Sequence, residues 1–268
     1  MVTRNLPELL DKMWKEYIDI NPLAKKINDL LIEEGEIIQN DHIALRTFNH
    51  PRVTLDVLAR PFIEAGYKYA GDYHFPDKKL YAKHYEHKDQ SLPKIFISEL
   101  KLQDFSPVLQ KIVDDLIAQV PVGLENQFDF VSIGRPWKVT TEIYSELMKE
   151  SDYAAWVAAF GYRPNHFTVF INNLKKFNDI LVLNDFLKSR GFKLNASGGE
   201  VKGSKEVWLE QASTLANNIE VEFDDGKLTI PACYYEFAKR YPMSNGELYH
   251  GFVAASADKI FESTSRGQ

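Results

Sequence analysis

The chain of 268 residues is 44% hydrophobic and 13% aromatic, enough to bury a large core in one elaborate domain or two closely packed ones. A formal charge of -6 gives no basic footprint for nucleic acid. No apolar run reaches membrane-span length, and the first residues mix charges into their apolar positions without a signal-peptide core, so no membrane partner and a cytoplasmic location are expected. The single cysteine, Cys233, excludes an internal disulfide and a cysteine-rich zinc site, leaving histidine and carboxylate as metal donors.

From Pro7 to about Glu36, apolar residues recur at three- and four-residue spacing and Pro22 interrupts them, which predicts two amphipathic helices covering part of a sheet. "NDHIALRTF", residues 40–48, then alternates as a strand, with Ile43 and Leu45 on one face and His42, Ala44 and Arg46 on the other. "TLDVLARPFIEAGY" reads as a helix stopped at Gly66. "YKYAGDYHF", "KKLYAKHYEH" and "KIFISEL" read as three strands. Residues 104–160 hold the helical segments "SPVLQKIVDDLIAQV" and "TTEIYSELMKESDYAAWVAAF", separated by turn residues around Gly134 and Pro136.

The first pattern then recurs. "NHFTVFINNL" is a strand with a histidine near its start, and "FNDILVLNDFLKSRGF" is a helix ended by glycine. "KLNASGG", "EVWLEQAS", "NNIEVEF" and "ACYYEFAKRY" are further strand candidates. Such internal repetition fixes architecture. The expectation is a single α+β domain in which two paired β-α-β-β-β modules form a curved, partly open mixed sheet around a metal site. The N-terminal helices take residues 1–39, the modules 40–103 and 161–245, the helical insertion 104–160 and a C-terminal segment 246–268. His42 pairs with His166 in this scheme, and Glu99 with Glu236 near the end of the last strand. A pseudo-twofold axis brings His42, His166, Glu236 and, less directly, Glu99 to one concave surface.

Two neutral imidazoles and a carboxylate form a facial set leaving roughly three of six positions open, which suits non-haem Fe(II). The plainer reading of a histidine at a strand start is a hydrogen-bonded core residue, and recurrence is what lifts His42 and His166 above it. Glu236 also fits a helical start paired with Arg240. His50, His74, His84, His87 and His250 lack equivalents and read as solvated or packing residues. The three-residue spacing of His84 and His87 sends them to opposite faces of a strand. Arg46 follows His42 by about 13 Å at ~3.3 Å per residue, and its fork suits a carboxylate beside the metal. There is no P-loop, dinucleotide-binding glycine motif, nucleophile elbow or H-E-x-x-H, and Cys233 reads as packing.

Taken together, "DHIALRTF", "FISEL", "NHFTVF", "YYEFAKRYP" and the terminal "GFVAASADKIFEST" resemble the 2-oxoadipate dioxygenase/decarboxylase family, itself similar in architecture to the vicinal-oxygen-chelate enzymes. The resemblance runs from about Leu30 to Thr264. It implies an Fe(II) enzyme that acts on 2-oxoadipate or a similar 2-oxo acid with O2, releasing CO2 and 2-hydroxyglutarate, as in lysine breakdown. It also implies metal ligation by His42, His166 and Glu236, a substrate-carboxylate contact at Arg46, and a substrate-contacting segment at Ala254, Ala255 and Ser256. Glu99 is expected behind the ligands or in a structural role. Two alternatives stay open. One is a glyoxalase-like isomerase or lyase with Glu99 as a fourth ligand to Zn(II) or Ni(II), and the other is a non-catalytic small-molecule-binding module.

Overall fold

Alternation along β1 (Asn40–Phe48) organises the molecule, which the computed structural model describes over residues 5–261. Strand β1 pairs in parallel with β4 (Lys94–Leu100), which continues through β3 (Leu80–Glu86) to β2 (Lys68–Phe75) at one edge. On its other side β1 pairs antiparallel with β5 (Pro164–Phe170). Strand β5 pairs in parallel with β10 (Glu236–Arg240), followed by β7 (Leu209–Ser213) and the edge strand β6 (Lys202–Ser204). The resulting order β2-β3-β4-β1-β5-β10-β7-β6 reads the same outward from its centre in both halves, as a pseudo-twofold repeat requires.

On the convex side, Leu9, Met13, Tyr17 and Ile20 of α1 (Leu6–Ile20) form one buried stripe. It rests on β5, where Trp14 meets Phe167 edge-on at 5.0 Å. Pro22 opens α2 (Pro22–Glu33), and α3 (Leu55–Glu64) packs on β1, β3 and β4. Ile43 and Leu45, the apolar face of the first strand, are buried. After α4 (Pro107–Ala118), the long helical segment divides at the extended Ser151 into α5 (Thr141–Glu150) and α6 (Asp152–Phe160). The Ser151 side chain accepts the Ala154 N–H and so starts a new helix. Every residue of α6 after Asp152 is buried, so its sequence lacks the polar stripe that marks a surface helix. Gly161 ends it at φ +68, where a Cβ would lie 2.3 Å from the Gly134 carbonyl oxygen.

The second module departs from expectation after α7 (Ile180–Ser189). "KLNASGG" keeps a single antiparallel bridge, Leu194 with Thr214, and then turns, because the Asn195 side chain accepts the Ser197 N–H and Gly198 and Gly199 take positive φ. The edge strand β6 has only three residues, too few for a period to show. "NNIEVEF" is β8 (Asn218–Phe223), which pairs with β9 (Gly226–Pro231) in a separate hairpin outside the main sheet. The helical alternative for Glu236 does not hold, since it opens β10 in register with Thr168 and Ser213. Helix α8 (Ala254–Phe261) packs against both β2 and β6, the two edges of the sheet. One helix can reach both edges only because the sheet curls into a half-barrel. Glu262 to Thr264 of the terminal motif lie outside the described residues. No helix among the described residues is long and apolar enough to cross a membrane.

Candidate metal centre

Register decides what faces the hollow. His42 stands opposite Thr168 and Ala44 opposite His166, and Thr168 stands beside Glu236, so both imidazoles and the carboxyl project from three adjoining strands onto the concave face. Among the described residues, His42, His166 and Glu236 each offer a ligand atom within 4.8 Å of the other two. The Nε2 atoms lie 3.4 Å apart, with Glu236 Oε1 3.6 Å from His42 Nε2 and Oε2 3.2 Å from His166 Nε2. All three side chains are buried.

The other ring nitrogens are held from behind. Asp41 Oδ1 lies 2.8 Å from His42 Nδ1 and Asn165 Oδ1 lies 3.2 Å from His166 Nδ1. These oxygens accept, so each Nδ1 carries the proton and each Nε2 turns a lone pair to the centre. Neighbouring residues on a strand normally point apart, but the β1–β5 register slips at Asp41 and again at Asn165. Each slip makes the residue before a histidine the extra residue of a bulge, which re-aims its side chain. Asp41 is held in turn by Arg240, whose Nε and Nη2 donate to it at 2.6 and 2.8 Å. Arg240 Nη1 donates to the carbonyls of Tyr249 and Gly251.

Burial pushes the His42 imidazole down against the pull of Asp41. It pushes His166 well down, with the charges of His42 and Arg46 adding to it. Both rings are therefore neutral donors at pH 7. Burial pushes the Asp41 carboxyl up, but the Arg240 guanidinium more than offsets this and holds it well below the usual range. Glu236 makes no such contact, and burial pushes it up to about 8 against the Gln211 hydrogen bond and the more distant charges of Arg240 and Lys202. Its Oε2 has no hydrogen-bond partner. Two neutral lone pairs converging on a buried carboxyl with one oxygen outside any hydrogen bond fit a divalent cation.

Phe96, Phe252, Tyr234, Gln211, Ala257 and Ile260 complete the wall. Tyr234 stacks on His166 at 4.7 Å, and the Phe252 ring meets His42 edge-on at 4.8 Å. The cavity they leave is about 20 Å³, room for a water or an ion and too small for a six-carbon diacid. Arg46 lies on the same concave face, with its guanidinium 5.0 Å from the rings of both Tyr153 and Trp156 on α6. It borders a larger cavity of about 500 Å³.

One expectation needs correction. Glu99 is not the counterpart of Glu236. It pairs with Thr47 and Tyr81 on the convex face and accepts the Leu55 N–H at the start of α3, a structural role. The register gives the true counterpart: Glu236 stands beside the residue two past His166, and Phe96 beside the residue two past His42. A phenyl ring therefore occupies the place of a fourth donor, which removes the glyoxalase-like four-ligand set built on Glu99. On α8, Ala255 is exposed and Ser256 is buried away from the centre, its Oγ 3.1 Å from where a Cβ on Gly203 would sit. The residues of α8 that reach the cavity are Ala257 and Ile260, three apart on one helical face. His84 is buried on the concave face but bonds Tyr73 and Glu86, consistent with packing.

Asp41, Asn165, Gln211, Phe96 and Phe252 were not singled out from sequence, and Arg240 was named only as a helical partner for Glu236. The paired strings "DH" and "NH" at the heads of equivalent strands were a usable signal for the first two.

Residues 5–247 match the family described as 2-oxoadipate dioxygenase/decarboxylase. The chain is 34% identical to the chloroplastic 2-oxoadipate dioxygenase/decarboxylase of Arabidopsis thaliana over 97% of this chain and 77% of that one. The hydroxyglutarate synthase of Oryza sativa, solved in complex with 2-oxoadipate, superposes with TM-score 0.92 at 35% identity, covering 97% of this chain and 92% of that one. A Shewanella frigidimarina protein with a provisional hydrolase name superposes with TM-score 0.91 at 53% identity, covering 95% and 100%. A Ralstonia eutropha protein assigned to the glyoxalase superfamily shares the fold, with TM-score 0.79 at 19% identity over 92% and 85% of the two chains.

Proposed function

Because the chain belongs to the 2-oxoadipate dioxygenase/decarboxylase family, we propose that it converts 2-oxoadipate with O2 into 2-hydroxyglutarate and CO2 at Fe(II) held by His42, His166 and Glu236. The carbon skeleton sets the balance. C1 leaves as CO2, C2 becomes the new carboxylate with one atom of O2, and C3 takes a hydroxyl with the other. The four electrons that reduce O2 come from the acid itself, two from its decarboxylation and two from the C3 hydroxylation, and Fe(II) would supply the open positions and the one-electron steps that pass them to O2. The protein contributes positioning and dryness. The Arg46 fork, braced by Tyr153 and Trp156, pairs with a substrate carboxylate and so sets the direction in which the acid lies. Phe96, Phe252 and Ile260 exclude bulk water from the reacting carbons. Since the cavity beside the ligands is smaller than the acid, admission requires Phe252 and α8 to shift outward.

The observation that carries this reading is the meeting of two neutral Nε2 atoms and one unpaired carboxyl oxygen on a wall that offers a phenyl ring where a fourth donor would stand. An oxygen electrode tests it. Protein loaded anaerobically with Fe(II) is given five-, six- and seven-carbon 2-oxo diacids, and O2 uptake matched by CO2 release is expected, greatest for the six-carbon acid. Turnover without O2 would point instead to an isomerase, and failure to hold stoichiometric metal to a binding module. Arg46→Ala is expected to raise KM roughly 100-fold while metal content stays unchanged. Unchanged kinetics would remove Arg46 from the site.

A further inference from the structure

Gln211 lies on β7, buried to 2% exposure, and borders the same small cavity as the three ligands. Its Nε2 is 2.6 Å from Glu236 Oε1. With the amide nitrogen donating to Glu236, the amide oxygen is turned away from it. That oxygen, Gln211 Oε1, is sealed from solvent and has no hydrogen-bond partner. Phe96, Phe252, Ala257 and Ile260 line the same cavity without a polar side chain, and the hydroxyl of Tyr234, which also borders it, makes no hydrogen bond to the amide. A buried amide acceptor is rarely left without a donor, and here the donor has to arrive with whatever enters the cavity.

We propose that Gln211 binds the hydroxyl of a 2-hydroxy acid through Oε1 while its Nε2 holds Glu236 as a one-oxygen ligand. This rests on the reading that 2-hydroxyglutarate forms at this centre. The chemistry of the two acids makes the contact selective. A 2-oxo diacid at neutral pH carries no O–H or N–H, so it leaves Oε1 unfilled. The hydroxylated acid carries one donor, on the carbon beside the carboxylate. The contact is therefore absent when substrate binds and becomes available only after hydroxylation. Between turnovers the cavity has room for a water in the same place.

Co(II) serves as a probe that reports its own coordination by visible absorption. Wild-type protein and Gln211→Met are loaded with Co(II) in the absence of O2 and titrated with 2-hydroxyglutarate and, separately, with 2-oxoglutarate, which has the same length and no hydroxyl. The variant is expected to bind 2-hydroxyglutarate roughly tenfold more weakly while 2-oxoglutarate changes less than about twofold. An equal loss for both acids would show a purely structural residue and overturn the proposal, as would no change for either. Gln211→Leu repeats the comparison with a shorter side chain if Met disturbs packing. Wild-type protein that consumes no O2 with 2-oxoadipate overturns the underlying reading of the site. Normal O2 consumption together with an unchanged ratio of the two affinities overturns the role of Gln211 alone.

Discussion

The two modules share strand order and a histidine at the head of the first strand, yet they carry opposite chemistry around it. In the first, the residue four past the histidine is Arg46 and the counterpart ligand position is Phe96. In the second, the corresponding residues are Phe170 and Glu236. A duplicated scaffold thus provides a symmetric pair of imidazoles, while the anionic donor stands on one side and the cationic anchor on the other. That asymmetry keeps one side of the centre without a protein donor and gives an asymmetric acid one way to lie.

The most severe break in the comparison is to remove the donors of the second module. His166→Ala and Glu236→Ala are each expected to reduce bound metal and O2 uptake with 2-oxoadipate to background, measured by metal analysis and the oxygen electrode. Phe96→Glu should make the halves alike, retaining metal while lowering O2 uptake at least ~100-fold through the added donor. Full uptake in that variant would show that position 96 is not the counterpart of 236.

Smaller effects distinguish the two bulges. Asp41→Asn leaves Arg240 without its carboxylate and should weaken metal binding by roughly 10- to 100-fold. Asn165→Ala, which removes a longer and uncharged contact, should cost less on the same titration.

Protons report the same centre. Glu236, raised from 4.5 to about 8, is mostly protonated at pH 7 in metal-free protein and has to ionise to ligate. Calorimetry in buffers of different ionisation enthalpy should therefore show about one proton released per metal near pH 7, falling toward none well above pH 8. In metal-free protein the raised Glu236 stabilises the fold fully below about 4.5, and that contribution is lost as pH climbs through about 8. The lowered histidines act the other way. Their contribution is complete above 6.5 and is lost as pH falls below it. The smallest effect belongs to the convex face, where Glu99→Ala should cost about 1 kcal/mol in denaturant unfolding and leave metal content unchanged.

The central strand and the helices flanking it were legible because each rests on a local period, and the convergence of the two histidines because they repeat at the heads of equivalent strands. Glu99 misled because "FISEL" and "YYEFA" look alike as strings, whereas the face a side chain takes depends on pairing register, which one residue of slip reverses. Asp41 and Asn165 escaped for the converse reason: alternation assigns them to the wrong face, and only the bulges return them. That Ala257 and Ile260 rather than Ala255 and Ser256 line the small cavity was not legible, because the phase of α8 over the hollow is set by packing against β2 and β6.

Arg240 divides its donors between the carboxylate behind His42 and the carbonyls of Tyr249 and Gly251, which lead directly into Phe252. Ligand geometry and the seating of the covering segment therefore hang on a single guanidinium. Redesign toward bulkier acids by slackening that segment would carry a cost at the metal, so changing Ala257 or Ile260 is the gentler route to a wider chamber.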